Sequence, residues 1–355
     1  MKTIIQVSDY PIDDIYSSIK GGAKIERHNA LYGYDAFIEA GYKVIPVCNK
    51  KRTFFSSIIN YIGRKFGFLN TYTQLLAFWK AMTNKDVKLI YCHILQFASF
   101  LSFLRRIGVL RIPVLCISHD VLSEETTKLE VWNGIDKVVC LGERTMDLCV
   151  AKANIPERHR QYINWGADLK FTRQYKQETP PTRDFFIATG VANRDYELLI
   201  DVFRDLPDLK LIIYSSNCNI IDLPSNVVID RNMSRSSMSK LLYGYYNAIA
   251  SLIPLKKQLD FCNGATILYE SMAMSCPVIV TNAKANLLDA EKEGIGLNVP
   301  FGDKSAWKKS LLKMAEDMDF RNKCSQKCAE LANSIYNYDL FCKELIDIVD
   351  KVIEH

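Results

Sequence analysis

The sequence lacks the features that would mark a membrane-spanning or secreted protein. It has no run of about 18 uncharged apolar residues. The nearest candidate, residues 97 to 117, is interrupted by Arg105 and Arg106. The first ten residues turn acidic after a short apolar run, so we expect a first β-strand there and not a signal peptide. These absences favour a globular, cytoplasmic protein.

Paired cysteines and metal-ligand spacings are also missing. The eleven cysteines are odd in number and scattered, and none forms a C-x-x-C pair. Cys324 and Cys328 share a helical face but have no histidine or cysteine partner nearby in the sequence. We therefore expect free thiols in a reducing compartment, with neither disulfides nor a bound metal.

Length and charge limit the possible architecture and partners. A chain of 355 residues suits two domains better than one core. Residues 1 to 172 hold 23 Lys plus Arg against 16 Asp plus Glu, a net charge of +7, and the remainder has a net charge of −2. The first half is therefore the part that would meet an anionic partner. No nucleic-acid-binding motif accompanies this modest charge, so we do not expect nucleic-acid binding.

Residues 260 to 282 form the stretch around which the chain is organised. A loop ending at Gly264 leads into a predicted helix from Ala265 to Met274, which Pro277 cannot continue. The apolar run that follows predicts a buried parallel strand. A glycine loop at a helix N-terminus is suited to phosphate. Glu270 lies about 9 Å further along the helix axis, where its carboxylate could hold a sugar hydroxyl.

This stretch resembles the nucleotide-sugar loop of the GT-B glycosyltransferases, family 4 in particular. Ser271 replaces the usual alanine, and Cys262 stands where the family has a second glutamate. The resemblance extends over nearly the whole chain. It implies an α/β fold with two Rossmann-like domains facing a central cleft, and a C-terminal helix crossing back to the first. The matching residues in the loop are Gly264, Thr266, Glu270, Met272, Ala273, Pro277, Val278 and Ile279.

A polar, proline-bearing segment at residues 172 to 183 predicts the interdomain linker. We therefore predict a Rossmann-like acceptor-binding domain at residues 1–172 and a Rossmann-like nucleotide-sugar-binding domain at 173–335. Residues 336–355 are predicted to form a helix that packs back on the first domain.

The resemblance implies transfer of a hexose-type sugar from a nucleotide diphosphate sugar, with retention of configuration and without a metal or other cofactor. The implied acceptor is a glycan or a lipid-linked precursor. Arg194 would hold the diphosphate, Gly190 would give backbone access, and Glu270 would bind ribose. His119 and Asp120 would contact the donor sugar or the acceptor. The remaining implied contacts are Asn193, Lys256, Gly264, Ala265 and Thr266 on the donor side, and Gly21 and Gly22 in an acceptor loop.

Basic and aromatic residues alternate between residues 50 and 82. This pattern is typical of a basic amphipathic helix on an anionic membrane, which would place the protein at the inner face of a membrane. It is equally typical of two ordinary helices with apolar faces in the core. Two other functions remain open at this point. One is a GT-B nucleotide-sugar epimerase, and the other is a catalytically silent GT-B scaffold, a hypothesis that Cys262 favours.

Overall fold

The computed structural model describes residues 1–22, 27–51, 53–119, 127–153, 155–232, 238–259 and 262–354. The chain divides into two compact units. The first comprises Met1–Trp165 together with Asp339–His355, and the second comprises Gly166–Tyr338. The C-terminal helix is thus counted with the first unit from Asp339 onward.

The first unit is built on a six-stranded parallel sheet in the order β2-β1-β3-β4-β5-β6. Strands β1 and β4 are buried at every position, as expected for a parallel sheet covered by helices on both faces. The strands are β1 Thr3–Val7, β2 Lys43–Val47, β3 Val87–Cys92, β4 Val114–Ser118, β5 Lys137–Cys140 and β6 Arg160–Tyr162. The helices are α1 Ile12–Lys20, α2 Tyr34–Glu39, α3 Phe54–Lys65, α4 Thr71–Thr83, α5 Ser99–Arg106 and α6 Glu143–Ala153.

The second unit has its own six-stranded parallel sheet, in the order β12-β11-β10-β7-β8-β9. Its core includes the fully buried Trp307, Phe186 and Phe203. The strands are β7 Phe186–Thr189, β8 Leu211–Tyr214, β9 Val227–Asp230, β10 Ser251–Ile253, β11 Val278–Thr281 and β12 Gly296–Val299. The helices are α7 Leu169–Arg173, α8 Tyr196–Arg204, α9 Met238–Asn247, α10 Ala265–Ala273, α11 Lys304–Glu316 and α12 Met318–Ser334. The C-terminal helix, α13 Tyr338–Glu354, follows them in the chain and belongs to the first unit from Asp339 onward.

The prediction of an α/β protein with parallel sheets is confirmed, but two local features differ from the sequence expectation. The sequence after the first strand predicts a polar loop containing Gly21 and Gly22, but this segment contains helix α1. The sequence also predicts one helix over about residues 26 to 40, but the structure has a 3₁₀ helix, His28–Leu31, followed by the short α2. The break lies at Tyr32 and Gly33, which both adopt positive φ, at 49° and 89°. A right-handed helix cannot pass through two such residues.

All eleven cysteines lie in the described ranges, and each is a free thiol, as the sequence predicted. Cys324 and Cys328 are buried in helix α12. Among the described helices, none combines the length and apolarity that crossing a bilayer requires.

Candidate functional site

The sheet of the second unit has a topological switch point between β7 and β10. Strand β7 comes first in the chain, β8 and β9 follow on one side of it, and β10 then pairs with its other edge. In open parallel sheets, ligands bind beyond the carboxyl ends of the strands at such a point. The loops after β7 and β10 are therefore the first place to look for a site. They contain Gly190 to Arg194 and Pro254 to Gly264.

Gly190 follows β7 directly and leaves room for the side chain of Arg194. Its φ is +112°, and a β-carbon placed there would lie 2.9 Å from both Nε and Nη2 of Arg194. The carbonyl oxygen of Gly190 accepts hydrogen bonds from the Tyr196 hydroxyl at 2.7 Å and the Ser215 hydroxyl at 2.9 Å. The glycine is thus fixed in place, and any other residue would displace the guanidinium.

Arg194 is held by the backbone of its own loop. Its Nε donates to the Thr189 carbonyl at 3.0 Å, and its Nη1 donates to the Ala192 carbonyl at 2.8 Å. Burial lowers the pKa of the guanidinium, an effect that Tyr196, Tyr245 and Cys262 oppose. An arginine remains charged at neutral pH despite such a shift. The second unit therefore carries a fixed, half-buried positive charge at its switch point.

Asn193 ties the β7 loop to the β10 loop. Its side chain donates to the Lys257 carbonyl at 2.9 Å and accepts from the Lys257 amide at 3.1 Å. Its backbone carbonyl accepts from the Lys256 amide at 3.2 Å, and Asp195 donates to the Pro254 carbonyl at 3.0 Å. The side chain of Asn193, predicted to assist at the diphosphate, is here engaged in fixing the two loops that flank Arg194.

Helix α10 begins at the same place. Gly264, with φ +104°, is its N-terminal cap, and a β-carbon there would lie 2.9 Å from Ile253 Cγ2 and 3.2 Å from Arg194 Nη2. The guanidinium of Arg194 thus lies against both glycines that the sequence singled out. The positive end of the helix dipole and this guanidinium converge on one point, which is the arrangement that an anion requires.

The start of α10 differs from the starts of other helices in the second unit. Aspartate side chains accept a backbone amide hydrogen bond at the N-caps of α7, α8, α11 and α12. No side chain in the described part of the chain caps α10. The first-turn amides of α10 are therefore available to a ligand. Ala265 is half-buried and Thr266 is exposed at this end.

Glu270 lies on the same helix and is 3% exposed. Tyr245 lies near Glu270. Burial, together with the negative charge of Glu270, raises the pKa of the Tyr245 hydroxyl. Within the described ranges, the Tyr245 hydroxyl is buried and has no hydrogen-bond partner. Buried polar atoms are normally paired, so an unpartnered hydroxyl beside Arg194 and Glu270 is a second sign of a ligand site. Sequence reasoning missed Tyr245, because a tyrosine inside a helix carries no motif.

Lys256, a predicted donor-side contact, and Cys262, which stands at the family's glutamate position, have other surroundings. The Lys256 ammonium forms an exposed ion pair with Glu197 at 3.1 Å, which raises the pKa of the lysine. Cys262 is half-buried, and its thiol influences the pKa of Arg194. It therefore lies close to the guanidinium, at the position where the family pattern has a glutamate. Asp260, the nearest acid in the sequence, lies outside the described residues.

The first unit also has a switch point, between β1 and β3, and it brings Asp9 and His93 together. His93 Nδ1 contacts the Val7 carbonyl at 2.9 Å, and Nε2 contacts Asp9 Oδ1 at 3.0 Å. The hydrogen bond from His93 lowers the pKa of Asp9. His93 is 1% exposed, whereas the Asp9 side chain is 49% exposed.

His119 follows β4 and is joined to this pair. Its Nε2 contacts the His93 carbonyl at 2.8 Å, and burial lowers its pKa to about 4. His119 is therefore neutral at physiological pH, donates from Nε2, and keeps an acceptor lone pair on Nδ1. The ring of Tyr32 stacks on His93 and on Trp165, with ring centroids 5.2 and 4.9 Å apart, and meets His119 edge-on at 4.9 Å.

The remaining residues predicted in the first unit are Gly21, Gly22 and Asp120. Gly21 and Gly22 end helix α1, and their amides donate to the carbonyls of Ser17 and Ile19. Asp120, predicted beside His119, lies outside the described residues. Asp9 was not anticipated from the sequence, although its position directly after a buried first strand could have indicated it.

The chain is similar to solved glycosyltransferase structures over its whole length. The sucrose-phosphate synthase of Thermosynechococcus elongatus matches with a TM-score of 0.72 at 14% identity, covering 100% of both chains. A glycosyltransferase from Rickettsia africae ESF-5 matches at 0.67 and 13% identity, covering 100% of this chain and 99% of its own. HepE from Anabaena, in complex with UDP-glucose, matches at 0.66 and 12% identity, covering 99% and 100%.

At these identities the similarity shows the fold, and the prediction of a GT-B fold is confirmed. No protein-family model matches the chain, and no curated protein matches its sequence.

Proposed function

We propose that this protein is a glycosyltransferase that uses a nucleotide diphosphate sugar, with the donor bound by the second unit. The observation that carries the proposal is the position of Arg194, whose guanidinium lies against Gly190 and against the uncapped N-terminus of α10. A guanidinium beside a helix N-terminus is chemically suited to a diphosphate, which supports the proposal. HepE, which shares the fold, has been captured with UDP and with UDP-glucose.

The proposed reaction breaks the bond between the sugar's anomeric carbon and the diphosphate oxygen. The leaving diphosphate gains negative charge, which Arg194 and the first-turn amides of α10 would stabilise. The acceptor hydroxyl oxygen forms the new bond to the anomeric carbon, and its proton passes to the leaving diphosphate. Protein cations can supply the required charge, so the proposal includes no metal. We further propose a hexose as the transferred sugar and retention of its configuration.

The two remaining groups have distinct proposed roles. Glu270 would accept hydrogen bonds from the ribose hydroxyls, since it is buried about 1.7 helical turns beyond Gly264. His119 would bind a sugar hydroxyl through Nδ1, because its Nε2 already donates to the His93 carbonyl. An imidazole fixed in one tautomer is suited to orienting a substrate.

A thermal-shift series with UDP, GDP, ADP and CMP tests donor binding on the wild type and on Glu270→Ala. Ligand at 100 times its dissociation constant stabilises the folded state by about 2.7 kcal/mol. We expect one nucleotide to raise the melting temperature by a few degrees, and the variant to lose that shift. No shift with any nucleotide would favour the silent scaffold.

Product analysis then distinguishes the enzymatic alternatives. Donor sugar incubated without an acceptor would be rearranged by an epimerase, whereas a transferase would leave it largely intact until an acceptor is added. Formation of a rearranged donor without acceptor would overturn the transfer reaction while keeping the donor site.

The orientation of helix α3 is unusual and bears on how an acceptor could reach the protein. Its polar face is turned inward: Ser56 and Gly63 are buried, and Asn60 accepts the Tyr72 amide at 2.9 Å. Its apolar face is turned outward. The alternative that these apolar side chains lie in the core is therefore wrong for α3. The exposed fractions are Phe54 84%, Phe55 64%, Ile58 40%, Tyr61 61%, Ile62 50% and Phe66 68%.

We propose that this face of α3 docks on an anionic lipid bilayer and brings a lipid-linked acceptor to the enzyme. Residues 40 to 85 contain eight Lys and Arg and no Asp or Glu, so the charge around the apolar face matches an anionic surface. Lys51, Arg64 and Lys65 are exposed at the two ends of the helix.

Vesicle flotation tests the docking surface. The wild type should float with vesicles of phosphatidylglycerol and phosphatidylcholine at low salt, and the Phe54→Ser, Phe66→Ser double variant should stay in the soluble fraction. Ile221→Ser is the matched control, because Ile221 is 90% exposed in the second unit. A wild type that does not float, or a double variant that floats like the control, would count against docking through α3.

A further inference from the structure

A cavity of about 700 Å³ opens at the amino edge of the first unit's sheet. It is lined by the first residues of β3 and β5, by the segment just before β4, and by the last two turns of α13. Strand β3 is six residues long, which places this amino-edge cavity roughly 20 Å of strand away from the edge that carries Asp9 and His93. The cavity is thus separate from both sites described above.

The lining is strongly basic. The described lining residues include six cations and one carboxylate, Asp136. Arg105 already donates hydrogen bonds of 2.9 and 2.5 Å to the Asp136 carboxylate. The cations are Lys88, Arg105, Arg111, Lys137, Arg158 and Lys351.

Lys137 lies close to a second positive charge in this cavity. Its ammonium donates to the Arg158 carbonyl at 2.8 Å. Burial and the nearby charge of Lys351 both lower the pKa of Lys137. Two like charges held together in a partly buried cavity repel each other, and a bound anion would relieve that repulsion.

Part of the cavity lining is apolar and includes Ile112, Pro113, Ile348 and Val352. The volume lies in the range of small-molecule sites. Phosphate groups fit the cationic part of the lining, since arginine and lysine bind them through charge-assisted hydrogen bonds. The apolar part would suit a hydrocarbon or ring portion of the same molecule.

We propose that the amino-edge cavity binds a phosphorylated ligand that also carries an apolar group. A free phosphorylated metabolite and a lipid phosphate headgroup share this chemistry. Because the cavity lies at the opposite edge of the sheet from the strand ends where substrates bind, its ligand acts as an effector or an anchor.

Site-resolved acetylation tests this proposal without interference from the donor site. The full-length protein is treated with limiting acetic anhydride, alone or with inorganic pyrophosphate or dihexanoyl phosphatidic acid, and each lysine is quantified by mass spectrometry. We expect acetylation of Lys137 and Lys351 to fall about tenfold at saturation, because the bound anion holds both ammonium groups in hydrogen bonds. The exposed Lys309 of the second unit is the internal control.

Protection by pyrophosphate and phosphatidic acid alike would identify the phosphate as sufficient, and protection by phosphatidic acid alone would identify a lipid source. Lys351→Gln should weaken the protection of Lys137 by about tenfold, equivalent to one strong charge contact, while Lys309→Gln should not change it. Acetylation of Lys137 that neither compound slows, or slowing that is equal at Lys137 and Lys309, would overturn the proposal.

Discussion

The carboxyl edges of the two sheets carry different functional groups. In the second unit, two glycines with positive φ leave space around a guanidinium, and a helix begins beside them without a side-chain cap. In the first unit, the groups at the equivalent edge are already engaged with one another: His93 with Asp9, and His119 with the His93 carbonyl. One edge offers donors to an anion, and the other offers imidazole and aromatic surfaces.

In the proposed reaction, this difference would assign the diphosphate and the sugar to different units. Diphosphate needs positive charge and backbone amides, which the second unit supplies. A sugar needs fixed hydrogen-bonding groups, which His119 would supply in the first unit. Substitutions on the two edges should therefore have distinguishable effects.

Arg194→Ala should lower kcat/KM for transfer from the donor by roughly 10²–10³-fold, because it removes a charge that stabilises the leaving diphosphate. Arg204→Ala is the matched control, since Arg204 lies in the adjoining helix α8 and pairs with the exposed Asp222. Steady-state kinetics on both variants measures the contrast. Equal activity of the two variants would contradict the assignment of Arg194.

Gly264→Ala should weaken nucleotide binding by about tenfold or more, because the new methyl group would press on Ile253 and Arg194 at the anion site. Gly302→Ala is the control. It also has positive φ, at 66°, but its β-carbon would meet no atom within 4 Å. In urea unfolding, both variants should lose roughly 1 kcal/mol of unfolding free energy, because alanine is strained in a left-handed backbone conformation. Loss of nucleotide binding in both variants would show that this backbone strain alone is sufficient to weaken binding.

Glu270→Gln should reduce the preference for a ribonucleotide over its 2′-deoxy form. A hydrogen bond to a charged group contributes about 1.5–3 kcal/mol, so the wild type should prefer the ribonucleotide by about tenfold or more. The amide of glutamine fills the same buried volume, so the variant should fold normally and bind the two forms more equally. Titration calorimetry provides both affinities, and an unchanged ratio would remove Glu270 from the ribose site.

His119→Gln should make stability less dependent on pH. The folded-state pKa of His119 is about 4, below the unfolded value of about 6.5, so acidification protonates the unfolded chain first. The wild type should therefore lose about 2 kcal/mol of unfolding free energy between pH 8 and pH 5 from this residue, and the variant should not. Urea titrations at the two pH values compare the proteins, and parallel losses would mean that His119 is protonated in the folded state.

The sequence was most informative where chemistry and local structure coincide. The helix from Ala265, its glycine and its buried carboxylate were predicted as one unit, because their spacing alone determines the geometry. The role of Arg194 was implied by the family resemblance. Its contact with Gly264, 70 residues away, depends on the pairing of β7 with β10 and could not be derived locally.

The first unit was harder to predict for the same reason. Asp9 and His93 are 84 residues apart and meet because β1 and β3 are neighbours in the sheet. The helix expected to end at Ala40 failed at Tyr32 and Gly33, where side-chain packing on His93 and Trp165 overrides local preference. In α3, the sequence revealed an amphipathic pattern but could not show which face is buried.

We propose that Arg194 and the start of α10 bind the terminal phosphate of the donor nucleotide. The most direct test is to measure the affinity of the wild type and of Arg194→Ala for the nucleoside diphosphate that thermal shifts identify, and for its monophosphate. We predict that the wild type prefers the diphosphate by about tenfold or more, and that the variant loses this preference while binding the monophosphate as the wild type does. A variant that retains the preference would contradict the account.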